Sequence, residues 1–239
     1  VVLLAPLLLF SGIASLVPDT CQGGSSAQGA SMLQTGQSTH RKPSTESGIW
    51  SADESTAYWG ESAANEVSPC IASAIRDLIH AKGYRSLADY GAGLGGYAMY
   101  LKEEGVDDVR CYDGNEAIVN SSHGLCQVVD ISVEQPQLPA VDLVMSFEVG
   151  EHIPKAREAA FLDNLRSASV QALVLSWAKP GQGGTGHVNE QPQEYIIGQM
   201  TSRGFRFDEE LSAKMREEAR GCPGAFWFYD PGVMVFRKS

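Results

Sequence analysis

From Ser68 to the end, apolar residues fall into two alternating rhythms, one of helical spacing and one of short continuous runs. Ser68 is placed to cap a helix with Pro69 in its first turn. Ile71, Ala74, Ile75, Leu78 and Ile79 then recur at helical spacing until Gly83. A short strand is predicted over 86–90, and Tyr97, Tyr100 and Leu101 mark a helix ending near Gly105. Further strands are predicted at 109–112, 127–129, 141–147 and 172–177. Helices are predicted at 154–165, 192–203 and 208–220, and two final strands at 226–229 and 233–236 flank an Asp230-Pro231-Gly232 turn. Strands alternate with helices, and several strands are apolar throughout. That pattern predicts an α/β fold with a parallel sheet covered on both faces. Two terminal strands separated by a tight turn pair antiparallel, so the sheet is expected to be mixed, with a reversed hairpin at its C-terminal edge.

The front of the chain breaks this rhythm. Residues 1–17 (VVLLAPLLLFSGIASLV) are almost wholly apolar and carry small residues near their end. They read as a signal peptide or bipartite targeting sequence, or as a signal anchor; a buried helix is the third reading. The run is shorter than the roughly 20 apolar residues of a bilayer span, and Pro6 interrupts it. Residues 18–48 are rich in Ser, Thr, Gly and Gln and too poor in large apolar side chains to offset their chain entropy, so a disordered linker is expected there. The folded domain is expected over 49–239, in the lumen of the secretory pathway or of a targeted organelle, membrane-anchored only if the leader stays attached.

The 239 residues carry a net charge of −11, with 43% hydrophobic and 20% charged residues, a globular composition. No basic stripe offers a surface to nucleic acid or anionic lipid. Five cysteines at wide spacings form no CxxC or Cys/His cluster, so no metal is expected. Cys111 and Cys126 fall in or beside predicted strands and read most simply as small core residues. A disulfide is possible if the domain is luminal, but the sequence assigns none.

Chemistry concentrates where the first strand ends. Asp89-Tyr90-Gly91-Ala92-Gly93-Leu94-Gly95-Gly96 places four glycines within six positions and feeds a helix N-terminus. Such a loop lets backbone N–H groups approach a nucleotide-like ligand closely. Acids close three later strands: Asp113, Asp130 and Glu148. In a doubly wound sheet ligands lie beyond these carboxyl ends. Asp113, 22 residues after Gly91, suits a ribose diol, and Asp130 suits an adenine amino group.

Taken together, residues from about Ser68 to Lys238 resemble the class I S-adenosylmethionine-dependent methyltransferases. Asp89 to Gly95 resembles that family's D-x-G-x-G-x-G motif, Asp113 its ribose acid, and Val129-Asp130-Ile131 its adenine-proximal segment. Ser146-Phe147-Glu148-Val149-Gly150-Glu151-His152-Ile153-Pro154 resembles the E-V-x-E-H-I-P run after the fourth strand of many small-molecule members. The resemblance implies a doubly wound, Rossmann-like mixed sheet of seven strands, ordered 3-2-1-4-5-7-6. It also implies S-adenosylmethionine as cofactor, held by Asp89, Gly91, Gly93, Asp113, Asp130, Ile131 and Phe147. The linker near Gly181–Asn189 is longer and richer in glycine than the family pattern, so no acceptor is carried over. A small-molecule acceptor is the expectation.

Two alternatives stand beside this reading. A non-catalytic binding protein would keep the fold and lack the reaction. An NAD(P)-dependent oxidoreductase is suggested by Gly91, Gly93 and Gly96, which satisfy G-x-G-x-x-G. Against the dinucleotide, Asp89 would face a pyrophosphate repulsively, and no second βαβ half follows. Methyl transfer is chiefly a matter of alignment and water exclusion, so catalytic candidates are few. His152 follows the fourth strand, and His187 sits in the glycine-rich loop after the fifth. Each has a bland alternative, a local cap for His152 and a flexible connector for His187's loop. Tyr58, Trp59 and Trp177 are either lid aromatics or packing residues.

Overall fold

Ser68 starts the first described helix as its sequence predicts: its side chain accepts a hydrogen bond from the Ile71 N–H at 3.4 Å, and Pro69 follows at the first helical position. Helix α1 (Pro69–Lys82) ends on Gly83, whose φ of 68° closes the last turn. Its buried stripe is the predicted one, Ile71, Ala74, Ile75, Leu78 and Ile79. The computed structural model describes residues 48–49, 67–222 and 232–239. The expected leader, the linker up to residue 47, Tyr58, Trp59 and the expected strand at 226–229 lie outside the described residues.

Among the described residues, seven strands form one sheet: β1 (Ser86–Tyr90), β2 (Asp108–Asp113), β3 (Gln127–Val128), β4 (Val141–Ser146), β5 (Ser169–Leu175), β6 (Phe205–Phe207) and β7 (Met234–Lys238). Their order is 3-2-1-4-5-7-6. The first five run parallel, and β7 lies antiparallel to both β5 and β6. The other α-helices among the described residues are α2 (Gly96–Glu103), α3 (Ile118–Ser121), α4 (Glu158–Ala168), α5 (Gln193–Ser202) and α6 (Glu209–Arg220). This is the expected doubly wound mixed sheet with an antiparallel C-terminal pair. The pair's members are β6 and β7, with α6 between them in sequence. Strand β6 was not expected: three residues, Phe-Arg-Phe, give too short an alternation to register between two helices.

Helices cover both faces. Leu87, Val109, Leu143, Val174 and Val235 pack beneath α1, α2 and α6, whereas Tyr90, Val144, Leu173 and Phe236 pack beneath α4 and α5. Neighbouring residues of one strand serve opposite cores, which explains the unbroken apolar runs. Phe161 and Phe236 are almost fully buried; truncating either to alanine costs about 3–5 kcal/mol.

The cysteines correct the simplest sequence reading. Cys111 and Cys126 are buried, as expected, but they are joined as a disulfide between β2 and the chain entering β3. A second disulfide, Cys70–Cys222, ties the start of α1 to the end of α6. Wide sequence spacing hid both pairs. Among the described residues, no helix is long and apolar enough to cross a membrane.

Candidate active site

Parallel strands deliver every predicted site residue to the same edge of the sheet. Beyond β1 the chain turns at Gly91, and both Gly91 and Ala92 N–H groups donate to the Tyr112 carbonyl of β2, at 2.8 and 3.0 Å. Gly91 has φ of 81°, and a methyl there would lie 2.3 Å from Val149 Cγ2. Both facts require glycine. Gly95, also at φ 81°, opens α2, and a methyl there would lie 2.5 Å from Cys126 Sγ. The Cys111–Cys126 disulfide therefore backs the glycine loop directly.

Asp113 ends β2 and pins this loop. Its carboxylate accepts from the Gly93 N–H at 3.0 Å and from the Asn115 N–H at 2.9 Å. Burial raises its pKa, with the N–H groups of Asn115, Gly93 and Gly114 opposing the shift. Asp89 lies just before the loop and is 3% exposed. Burial, and then the Asp113 charge, push its pKa up to about 8. A cationic ligand group beside it would draw this carboxyl back to its charged form, whereas a pyrophosphate would hold it neutral.

Beyond β3, Asp130 is occupied locally: it accepts from the Ser132 N–H at 2.9 Å and the Ser132 hydroxyl at 2.6 Å, and Arg157 stands 3.8 Å away. Ile131 is buried, and Asn164 donates to its carbonyl at 2.9 Å. Phe147 follows β4 and meets Tyr97 of α2 edge-on, ring centres 5.5 Å apart. The cofactor candidates thus surround the carboxyl ends of β1 to β4.

The two histidines come together on the adjoining side. His152 lies in a single 3-10 turn (Gly150–His152), and His187 in the loop after β5. Their rings stand edge-to-face with centres 5.0 Å apart. His152 Nδ1 lies 3.2 Å from the Gly186 carbonyl, and His187 Nδ1 lies 3.1 Å from Glu190 Oε1. Burial and the neighbouring His187 lower the His152 pKa to about 4, against the Gly186 carbonyl, so its ring is neutral at pH 7. The ring of His187 needs Gly184: a methyl there would sit 2.3 Å from Nε2.

The loop around His187 is stitched down rather than loose. Burial disfavours charge on Glu190, but bonds from His187, Gly181 and Gly183 outweigh it and hold its carboxyl below the ordinary range. The two glycine N–H groups each donate to it at 2.7 Å. Val188 and Asn189 N–H groups donate to the Glu151 carbonyl at 2.9 and 3.0 Å. Asn189 also accepts from Trp177 Nε1 at 2.7 Å and donates to Glu158 at 2.8 Å. Trp177 is accordingly a packing residue, 3% exposed and pressed against Gly150.

Two acids complete the cluster. Glu148 takes φ of 53°, unusual for a residue with a side chain, and accepts from the Ser176 hydroxyl at 2.7 Å. Glu151 is fully buried, and neither carboxylate oxygen meets a hydrogen-bond donor in acceptable geometry. Burial and the Glu148 charge raise its pKa far above the ordinary carboxyl range. Sequence reasoning named Glu148 as a strand-end acid but gave Glu151 and Glu190 no role. The signal for Glu151 was present in its place beside His152. The signal for Glu190 was its spacing of three residues from His187.

No family model matches the chain, and no curated protein matches it in sequence. Solved structures do match in fold. A TehB-like S-adenosylmethionine-dependent methyltransferase from Corynebacterium glutamicum is 19% identical, with a TM-score of 0.57, over 78% of this chain and 99% of that one. CalS10, an amino pentose methyltransferase from Micromonospora echinaspora solved with S-adenosylmethionine, is 14% identical, with a TM-score of 0.56, over 77% and 97%. Magnesium protoporphyrin IX methyltransferase from Synechocystis PCC 6803, solved with S-adenosylhomocysteine, is 16% identical, with a TM-score of 0.51, over 70% and 82%. The chain therefore has the class I methyltransferase fold. At these identities, the likeness concerns architecture and leaves the acceptor open.

Proposed function

We propose that this protein is an S-adenosylmethionine-dependent methyltransferase acting on a small-molecule acceptor. One observation carries the reading: Asp113 and buried Asp89 flank a positive-φ glycine loop at the carboxyl ends of β1 and β2. Asp113 would hold the ribose diol. Asp89 would neighbour the cationic methionine end, and Gly91 and Gly93 would allow its close approach. Asp130, Ile131 and Phe147 would line the adenine side. The fold-level neighbours named above, two of them solved with the donor or its product, support this assignment.

In the reaction, a lone pair on the acceptor attacks the methyl carbon in line with the sulfur. The carbon–sulfur bond breaks, its electron pair stays on sulfur, and S-adenosylhomocysteine leaves. The acceptor gives up one proton. His152 and His187, on the adjoining side of the site, are the candidates for handling the acceptor. We also read the domain as working in an oxidising compartment; two disulfides among the described residues support this. Calorimetry with S-adenosylmethionine, S-adenosylhomocysteine and NAD tests the cofactor. Binding of the first two, weakened by Asp113→Ala, is expected. Binding of NAD alone would overturn the assignment in favour of an oxidoreductase.

A further inference from the structure

We propose that Glu151, His152 and His187 bind a divalent first-row transition-metal ion, on the acceptor side of the donor site. One ligand atom from each lies within 4.8 Å of the other two, a spread that one ion can span after small side-chain adjustments.

Three independent observations converge on an ion. The first is the under-satisfied carboxylate: Glu151 is 0% exposed, and although its own N–H, the Ala178 N–H and the Glu148 carboxyl approach its oxygens, none does so in hydrogen-bonding geometry. Burying a carboxylate without a partner is costly, and coordination supplies the partner. The second is the way each imidazole is held. Nδ1 of His152 faces the Gly186 carbonyl, and Nδ1 of His187 faces the Glu190 carboxylate. A proton on each Nδ1 donates to those oxygens and leaves Nε2 as the basic nitrogen. Metal-bound histidines are oriented in this way, by a carbonyl or carboxylate on the opposite ring nitrogen. The third is charge. Glu148 neighbours Glu151, so two acids meet beside two imidazoles, and among the described residues no lysine or arginine is ion-paired with either acid. A dication supplies the positive charge that this pair of acids lacks.

Two imidazole nitrogens and a carboxylate suit zinc, manganese, iron(II), cobalt or nickel better than calcium or magnesium, which prefer all-oxygen shells. Glu151 and His152 are adjacent, and the third ligand arrives on a separate loop, which the backbone of Glu151 itself anchors through Val188 and Asn189. That separation explains why no metal-binding spacing is visible in the sequence. Three protein ligands leave coordination positions open, as in catalytic rather than structural sites.

The consequence for catalysis rests on the methyltransferase reading; ion binding itself does not. An ion here would take a hydroxyl oxygen of the acceptor and lower its pKa, the hydroxyl proton passing to water. The oxygen then forms a bond to the methyl carbon as the carbon–sulfur bond breaks, and the electron pair remains on sulfur. The acceptor class is thereby a hydroxyl-bearing small molecule.

The test is titration of chelator-stripped full-length protein with Zn(II), Mn(II) and Co(II) by calorimetry, with Co(II) followed also by visible absorption. We expect one ion per chain for at least one of these metals. We expect His187→Ala and Glu151→Gln to weaken it by at least about 100-fold, beyond the 10–100-fold typical of losing an outer partner. His80→Ala, an exposed histidine on α1, should bind as wild type does. Donor affinity is measured on the same samples. Loss of the ion with donor binding and melting temperature retained locates the defect at the metal site. Absence of ion binding by wild type, or undiminished binding by both variants, overturns the proposal. Failure of the donor to bind wild type sinks the methyltransferase reading and leaves the ion result standing.

Discussion

Asp89→Asn should make the protein more stable at alkaline pH and poorer at holding its donor. The wild-type carboxyl has a folded-state pKa of about 8 against an ordinary 3.8, raised by burial and by Asp113. Between these values the folded state keeps a proton that the unfolded state releases, so stability falls as pH rises through this window and is lowest above about 8. At about 1.4 kcal/mol per pH unit, the ceiling on that cost is about 6 kcal/mol. Local relaxation and a higher effective dielectric reduce it, and about half is the working expectation, roughly 3 kcal/mol. Asparagine keeps the shape and carries no charge. For a domain of this size, 3 kcal/mol corresponds to about 6–12 °C in melting temperature. Circular-dichroism melts of both proteins at pH 5, 7 and 9 measure it, and the gap should widen with pH in favour of the variant. A second readout uses the donor. Its cationic end would favour the charged carboxylate, so binding at pH 7 should release close to one proton from wild type and none from the variant. Calorimetry in buffers of different ionisation enthalpy counts that proton. A pH-independent gap in melting temperature would refute the burial argument.

Other perturbations probe separate parts of the site. Asp113→Ala leaves the Gly93 and Asn115 N–H groups without their acceptor, and donor affinity measured by calorimetry should fall about 10–100-fold; unchanged affinity would contradict its ribose role. Gly91→Ala forces a left-handed backbone and a clash with Val149, and should cost about 2–4 kcal/mol in denaturant unfolding. Replacing Cys111 and Cys126 together by serine opens a link of sequence separation 15, which should cost about 3 kcal/mol. It should also weaken the donor, since the disulfide backs Gly95. Equal donor affinity with and without the bridge would separate the loop from its support.

Much of this architecture was written in local patterns. The cap at Ser68, the stripe on α1, the apolar strands and the glycine turn before α2 are all short-range signals, and each fell where its chemistry placed it. What escaped depends on distant partners. The disulfides join residues 15 and 152 positions apart, and β6 is defined by pairing with β7 rather than by its own three residues. The predicted helix from Pro154 opens as a 3-10 turn (Lys155–Arg157), and α4 begins only at Glu158. There Glu158 gathers Lys155, Tyr195 and Asn189, a network assembled by tertiary contact. The same holds for the histidine cluster. His152 and His187 were legible singly, as residues after β4 and β5. Their pairing around buried Glu151 exists only once the sheet aligns those two strand ends.

The central claim is methyl transfer, and isotope tracing addresses it most directly. Protein supplied with a divalent metal is incubated with a small-molecule extract and methyl-labelled S-adenosylmethionine, then analysed by mass spectrometry. We expect a labelled product that depends on the protein, S-adenosylhomocysteine formed in equal amount, and loss of both with Asp113→Ala. Donor bound tightly with neither product formed, across extracts and metals, would contradict the claim and leave a binding protein built on a methyltransferase fold.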